Sequence, residues 1–315
     1  MARKRKGNPV HGWVNFDKPY GMTSTQAVSK VRWLYQAQKA GHAGTLDPLA
    51  TGILPIALGE ATKTVPFLVE AHKGYICEIA WGEARDTLDA EGDITATSDV
   101  RPDAAQIEAA LPEFIGDISQ TPPRFSAIKI DGQRAYDLAR AGEHIKMKPR
   151  GVRIDAISVI EAKTDSAIID VRCGKGTYIR SLARDLALAL GTVGYVKSLR
   201  RTHVGPFTLG TALALDCLEE MVHKPPAEWH LLGLETALDD IPAHAITDDE
   251  QFDIRQGRAI TLIPPIAKAL KQAARPRFIG DLDASRYVLA IYDGKPVALC
   301  DARAGQLSPK RVFMM

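Results

Sequence analysis

Residues 75–81 alternate Tyr75, Cys77, Ile79 and Trp81 on one side with Ile76, Glu78 and Ala80 on the other. A period of two is the repeat of a strand, and a side this apolar has to be buried against something. Further strand-like stretches occur at 13–16, 127–130, 152–160 and 166–173. Between them lie helical repeats. Thr23 or Ser24 can cap a helix with Ala27, Val28, Val31 and Leu34 on one side, and Asp103 can cap one with Ile107, Leu111 and Phe114. A third helix, from about Tyr178 to Leu190, carries a stripe of Ile179, Leu182, Leu186 and Ala189 and sets Arg180 and Arg184 together on another face. Strands and helices interleave without regular β-α-β spacing, so the expected class is α+β with a mixed sheet.

With 315 residues, 45% of them apolar, the chain can bury more than one core. Residues 1–12 read as a basic tail, 13–240 as the main domain and 241–315 as a small second module. The module ends in two strands around Asp293-Gly294 within 287–299, a hairpin signal. The acid-rich stretch 208–245, broken at Pro225-Pro226 and Pro242, reads as a helical connector. Glycines and prolines crowd 41–55, which reads as mostly loop.

No run approaches the roughly 18 apolar residues that span a bilayer. The basic start Arg3-Lys4-Arg5-Lys6 is followed by Asn8, Pro9 and His11 rather than an apolar region, so export is not expected and the cytosol is the default. Cys77, Cys173, Cys217 and Cys300 form no C-x-x-C and have no histidine at ligand spacing. They read as reduced residues, with neither disulfide nor zinc expected.

The net charge of +2 conceals segregation: 78–117 holds eleven acids and two bases, whereas 172–201 holds seven bases and one acid. Such segregation suits a polyanion on one face, although charge also clusters by chance. Phosphate-loop, dinucleotide, nucleophile-elbow and zinc-protease motifs are all absent. What remains is Asp47, in a loop flanked by Gly41, Gly44 and Gly52. Pro48 biases it towards extended backbone, and the glycines allow close approach to a ligand. Asp-Pro is equally a plain turn start, His42 a plain loop histidine, Tyr75 and Tyr178 core aromatics, and Arg180 a phosphate contact.

Gly41-His42-Ala43-Gly44-Thr45-Leu46-Asp47-Pro48-Leu49-Ala50-Thr51-Gly52 resembles the catalytic loop of the TruB-type tRNA pseudouridine-55 synthases. Six further blocks match in order. They are Asp17-Lys18-Pro19-x-Gly21-x-Thr23-Ser24, Lys73-Gly74-Tyr75, Asp86-Thr87-x-Asp89-x-x-Gly92, the block from Pro122 through Lys129 to Gly142, Gly174-x-Gly176-Thr177-Tyr178-Ile179-Arg180-Ser181-Leu182, and Leu199-Arg200-Arg201-Thr202-x-Val204-Gly205-Pro206-Phe207. The resemblance implies a pseudouridine synthase fold, with a largely antiparallel sheet flanked by helices, and a β-rich PUA-like RNA-binding module at the C-terminus that departs from its pattern at 262–285.

It also implies roles. Asp47 is the essential acid that isomerises uridine 55 in the tRNA T loop, acting either on the ribose directly or through a glycal. Arg180 is its ion-pair partner, Tyr75 stacks on the flipped base, Tyr178 and Leu199 wall the pocket, His42 fills space vacated in the T loop, and Lys18 supports the loop or a phosphate. Arg124, Lys129, Arg140, Lys146, Lys148 and Arg150 are phosphate-contact candidates. No cofactor or metal, no guide RNA, no DNA and no membrane are implied, and the chain is expected to act as a monomer. A non-catalytic RNA-folding factor on the same fold is the competing reading.

Overall fold

The computed structural model describes residues 7–126, 128–130, 132–141, 147–221, 223–224 and 229–315, with backbone alone at 129, 130, 134, 137, 139 and 140. The chain runs through β1 (Gly12–Lys18), α1 (Ser24–Leu34), β2 (Ala40–His42), β3 (Thr51–Leu58), α2 (Val65–Glu70) and β4 (Lys73–Trp81). A hairpin of β5 (Glu83–Arg85) and β6 (Ile94–Thr97) leads to α3 (Ala104–Ala110) and β7 (Gly116–Gln120). A second, of β8 (Lys129–Ile130) and β9 (Gln133–Arg134), leads to α4 (Ala135–Arg140). Then come β10 (Arg150–Ala162), β11 (Ser166–Cys173), α5 (Ile179–Ala189), β12 (Gly194–Val204), β13 (Phe207–Thr208) and α6 (Leu215–Met221).

One sheet, ordered β1-β3-β12-β4-β11-β10-β7 with β2 beside β3 and β13 beside β12, organises this body. Its pairings are antiparallel except β12 with β3, which run parallel over two residue pairs, Arg200 with Thr51 and Arg201 with Gly52. The apolar side of β4 expected from the alternation is buried, with Cys77 and Ile79 wholly enclosed. It packs with Leu182 and Leu186 of α5 and Val31 of α1 in the main core. Thr23 is the cap of α1, and Asp103 caps α3; both complete a capping box with a glutamine three residues on. Within the expected α5 stripe, Ala189 is exposed instead, and Ala183 and Ala187 take the buried places.

Several expectations are corrected. The loop expected over 41–55 is narrower than that stretch: β2 and β3 occupy both ends and leave 43–50 as the loop. Pro55 is accommodated because β12 pairs only at Thr51 and Gly52 and β2 only beyond Pro55, so no ladder needs its missing N–H. The described residues of 208–245 hold short helical segments and end in β14, and they are packed rather than merely connecting: Leu218 and Met221 join the main core, and Leu234, Leu238 and Ile241 a second cluster. Its Pro225-Pro226 break lies outside the described residues. Of the basic tail, 1–6 lies outside them too. The remainder is held, with Asn8 donating to Gln36 O at 2.7 Å. The strand expected at 127–130 is only the two-residue β8; residue 127 is outside the description.

The C-terminal part comprises β14 (Ala243–Ala245), α7 (Asp248–Arg255), β15 (Ile260–Thr261), α8 (Pro264–Ala273), a hairpin of β16 (Phe278–Ile279) and β17 (Leu282–Asp283), then β18 (Tyr287–Tyr292), β19 (Lys295–Arg303) and β20 (Gln306–Val312). Its sheet runs β14-β18-β19-β20-β15. Asp293 and Gly294, both at positive φ, make the tight turn between β18 and β19. The stretch that departs from the PUA pattern forms α8 and the β16–β17 hairpin.

Candidate active site

Asp47 sits in the loop between β2 and β3, and this loop is held by its carbonyl oxygens. Arg201, on β12 and wholly buried, donates from Nε to Ile53 O at 2.7 Å, from Nη2 to Gly44 O at 3.1 Å and from Nη1 to Thr45 O at 3.4 Å. Ser24 Oγ, at the start of α1, donates to Leu46 O at 3.0 Å and accepts from Leu46 N–H at 2.8 Å. Lys18 Nζ, at the end of β1 and also enclosed, donates to Pro48 O (3.2 Å), Pro19 O (2.9 Å) and Met22 O (2.7 Å). Its three protons are thus spent on carbonyls, one of them in the Asp47 loop. Burial lowers its pKa to about 8, against the pull of Asp47. Polar backbone in a loop packed this deep needs partners, and backbone supplies the others: Gly21 N–H donates to Pro48 O at 2.9 Å and Ala50 N–H to Asp47 O at 3.1 Å.

Gly52 makes the Arg201 contact possible. At φ +96° it lies so close to β12 that a Cβ would stand 2.2 Å from Arg201 O. No side chain fits between the two strands there.

Arg180, in the first turn of α5, is almost wholly buried and meets two carboxylates. Nε is 2.9 Å from Asp47 Oδ2, and Nη1 is 3.4 Å from Asp89 Oδ2. The Nε–H is not directed at the Asp47 oxygen, so this contact is one of charge. Carbonyls fix the guanidinium: Nη1 donates to Thr87 O at 2.8 Å and Nη2 to Phe125 O at 2.9 Å. Arg184, one turn on, donates to Thr121 O, so both arginines of that face hold the 121–125 loop. Asp89 is spoken for elsewhere, accepting from Thr87 Oγ1 at 2.6 Å and Glu91 N–H at 3.1 Å. Asp47 keeps 34% of its side chain open. Burial raises its pKa above the ordinary carboxylate value, Arg180 opposes the rise and Asp89 adds to it.

The open side of Asp47 faces a cavity of about 260 Å³ walled by Tyr75, Tyr178, Arg180, Leu199 and Arg201. Tyr75, on β4, stands opposite Arg201 in the β12 register, and burial raises its pKa. Tyr178 caps α5, and the Arg150 guanidinium lies 5.0 Å from its ring centroid. Lys73, Arg150, Lys175, Arg180 and Arg201 line the cavity, and Asp47 is the one acid among its described lining residues. Such a wall suits a phosphorylated ligand. Its size lies at the lower end of small-molecule pockets.

Of the residues expected at a site, Asp47, Tyr75, Tyr178, Arg180 and Leu199 converge on this cavity. Lys18 lies beneath the loop. His42 ends β2 half-buried and does not line the cavity; burial and the Arg201 charge lower its pKa. Among the phosphate candidates, Arg150 lines the cavity, while Arg124 and Lys148 are exposed. Lys146 and the side chains of Lys129 and Arg140 lie outside the described residues. Ser24, Asp89, Gln120 and Arg201 carry parts of the site to which the sequence reading gave no role. No group of three or more potential metal ligands occurs among the described residues.

Residues 32–179 match the family described as TruB family pseudouridylate synthase (N terminal domain), and residues 180–239 match tRNA pseudouridylate synthase B C-terminal domain. Along its whole length the chain is 54% identical to the tRNA pseudouridine synthase B of Caulobacter sp. (strain K31), over the whole of that protein. The chain belongs to the TruB family of pseudouridylate synthases. To the tRNA pseudouridine synthase B of Rhodospirillum rubrum it is 47% identical, over 99% of both chains. As a TruB-family member it is an isomerase, and its α+β fold recurs in a solved relative. A chain in the crystal structure of a Cbf5-Nop10-Gar1 complex matches 96% of this chain and 85% of its own length, with a TM-score of 0.71 and 26% identity. No described helix is long and apolar enough to cross a membrane.

Proposed function

We propose that this enzyme converts uridine 55 in the T loop of tRNA to pseudouridine, with Asp47 as the catalytic carboxylate. The observation that carries the reading is the Asp47 carboxylate 2.9 Å from Arg180 and open to a cavity walled by Tyr75, Tyr178 and Leu199. The relatives' name supplies the substrate class.

A uridine inside a folded T loop has to leave its stack to reach so enclosed a carboxylate. Arg180 and Arg201 are committed to carboxylates and loop carbonyls, so Arg150 and Lys175 are the wall cations that meet the phosphates on either side of it. The base then lies on Tyr75, whose flat face tolerates rotation, with Leu199 offering a surface that does not pin it. The bond from C1′ to N1 breaks, the uracil turns, and C1′ joins C5. N1 gains a proton and C5 loses one, so no outside reductant, oxidant or energy source enters the balance. Asp47 acts on the ribose in its ionised form, which Arg180 favours. Lys18 fixes the loop, and His42 meets the RNA outside the cavity. The C-terminal module, 241–315, is a PUA-like domain that extends the RNA contact. The enzyme works in the cytoplasm as a monomer, without cofactor or guide RNA, and on neither DNA nor membranes.

Purified protein incubated with bulk unmodified tRNA and nothing else tests this reading. Conversion at position 55 is expected, and Asp47→Asn should abolish it while tRNA still binds. Conversion confined to other uridines, or dependent on an added guide RNA, would reject the site. Ordinary turnover by Asp47→Asn would reject the acid.

A further inference from the structure

The first turn of α5 supplies two walls of the cavity, Tyr178 and Arg180, yet Tyr178 brings no side-chain cap of its own to the helix. The backbone of Tyr178 is held from another element. Gln120, the last residue of β7 and 1% exposed, accepts from Tyr178 N–H through Oε1 at 2.8 Å and donates from Nε2 to Tyr178 O at 3.1 Å. Both ends of one side-chain amide are thus spent on one residue's main chain. The next residue of the same segment repeats the attachment, since Ser181 Oγ donates to Thr121 O at 2.8 Å. Across the ladder, Gln120 pairs with Arg150, whose guanidinium stacks on the Tyr178 ring and donates to Gly176 O at 2.6 Å.

We infer that Gln120 is a positioning residue for the reaction, fixing the Tyr178 wall and, through the same helical turn, the Arg180 guanidinium against Asp47. A glutamine is suited to this because its amide offers one donor and one acceptor in a single plane, as the N–H and C=O of Tyr178 require. Its complete burial makes the two bonds directional and leaves water no part in them. Catalytic geometry is sensitive to displacements of about 1 Å, which cost on the order of 100-fold in rate.

Two substitutions test the inference on the full-length enzyme with tRNA as substrate. Gln120→Met keeps the length and removes both bonds. Gln120→Glu keeps the acceptor but turns a carboxylate oxygen towards Tyr178 O until it is protonated. For Gln120→Met, the single-turnover rate should fall about 10- to 100-fold, while the Kd for tRNA measured by filter binding stays within about threefold. For Gln120→Glu, the rate relative to the parent should rise as pH falls, because protonation restores the donor. A purely structural role would lower the melting temperature without this pH-dependent recovery.

A folded Gln120→Met variant with a rate within about threefold of the parent overturns the inference. So does a Gln120→Glu to parent ratio that is flat with pH, which decides the matter even if the methionine variant does not fold. The inference rests on the cavity being the active site. Tyr178→Ala and Arg180→Ala, measured alongside, separate the two: if they retain activity the site reading fails, and if they lose it while both Gln120 variants behave as the parent, only this inference fails.

Discussion

Arg180 touches two carboxylates, and of these Asp47 alone lines the cavity. Asp89 is held by Thr87 and Glu91 and serves to anchor the arginine. The ionisation of Asp47 is therefore a contest between burial, which raises its pKa, and Arg180, which lowers it. In Arg180→Met the opposing charge is gone, and the pKa of Asp47 should climb further. Under the proposed function, in which Asp47 acts as a carboxylate, the acid limb of the rate profile lies where Asp47 takes up its proton and should move to higher pH. A carboxyl-carbon NMR titration of labelled protein reads this directly, and an unmoved Asp47 titration would show that Arg180 does not set it.

That Asp47, Tyr178 and Arg180 come together at one cavity was legible because they belong to the blocks Gly41 through Gly52 and Gly174 through Leu182 that carry the family resemblance. Arg201, Ser24 and Gln120 were not, for a physical reason. Each acts on backbone carbonyls or amides, and a sequence does not display which of those the fold leaves unpaired. Arg201 stood in the sequence as one of seven bases between 172 and 201 and as a member of the Leu199–Phe207 block, with no role attached.

At the level of strands, β3 decides whether the site exists. Its first two residues make the parallel contact with β12, and Gly52 is the residue through which that contact passes. Gly52→Ala sets a Cβ 2.2 Å from Arg201 O at a φ of +96°. Strain and clash together should cost at least about 2 kcal/mol. The loop carbonyls of Gly44 and Thr45 would lose Arg201 as the strands separate, so activity should fall by more than the unfolded fraction explains. Urea denaturation with a parallel activity assay checks this; an unchanged midpoint would show that the strands can part without harm. Glycine and proline content disguised β3 as loop, because composition reports local preference and not whether a neighbouring strand needs the missing N–H. The helices were read better. Thr23 and Asp103 state their caps locally, and a 3.6-residue repeat depends little on distant partners.

On the scale of the whole molecule, the C-terminal sheet is not hung from a flexible linker. Leu289, Leu299 and Phe313 share a cluster with Trp13, Phe67 and Leu68 of the main body. The rings of Phe67 and Tyr287 stand 6.0 Å apart, and Lys63 Nζ donates to Val312 O at 2.7 Å. An apolar seam between two sheets couples their unfolding. Phe313→Ala, which empties a wholly buried position, should cost about 3–5 kcal/mol. Calorimetry should show one transition in the parent and in the variant. A variant in which the C-terminal part melts alone, leaving the body at its original temperature, would contradict that coupling. The sequence carried no sign that the two sheets share one core, because the cluster joins Phe313 to Trp13 and Phe67, each more than two hundred positions away.

The bond from Arg201 to Gly44 O spans 157 residues. During synthesis the aspartate leaves the ribosome early, whereas the arginine that shapes its loop follows only after some two-thirds of the chain has been made. Until then the loop has Ser24 and Lys18 to hold it but lacks Arg201 and Arg180. The loop is thus completed late in the life of each molecule, and a product truncated between β3 and β12 would carry Asp47 without the arginine that shapes its loop.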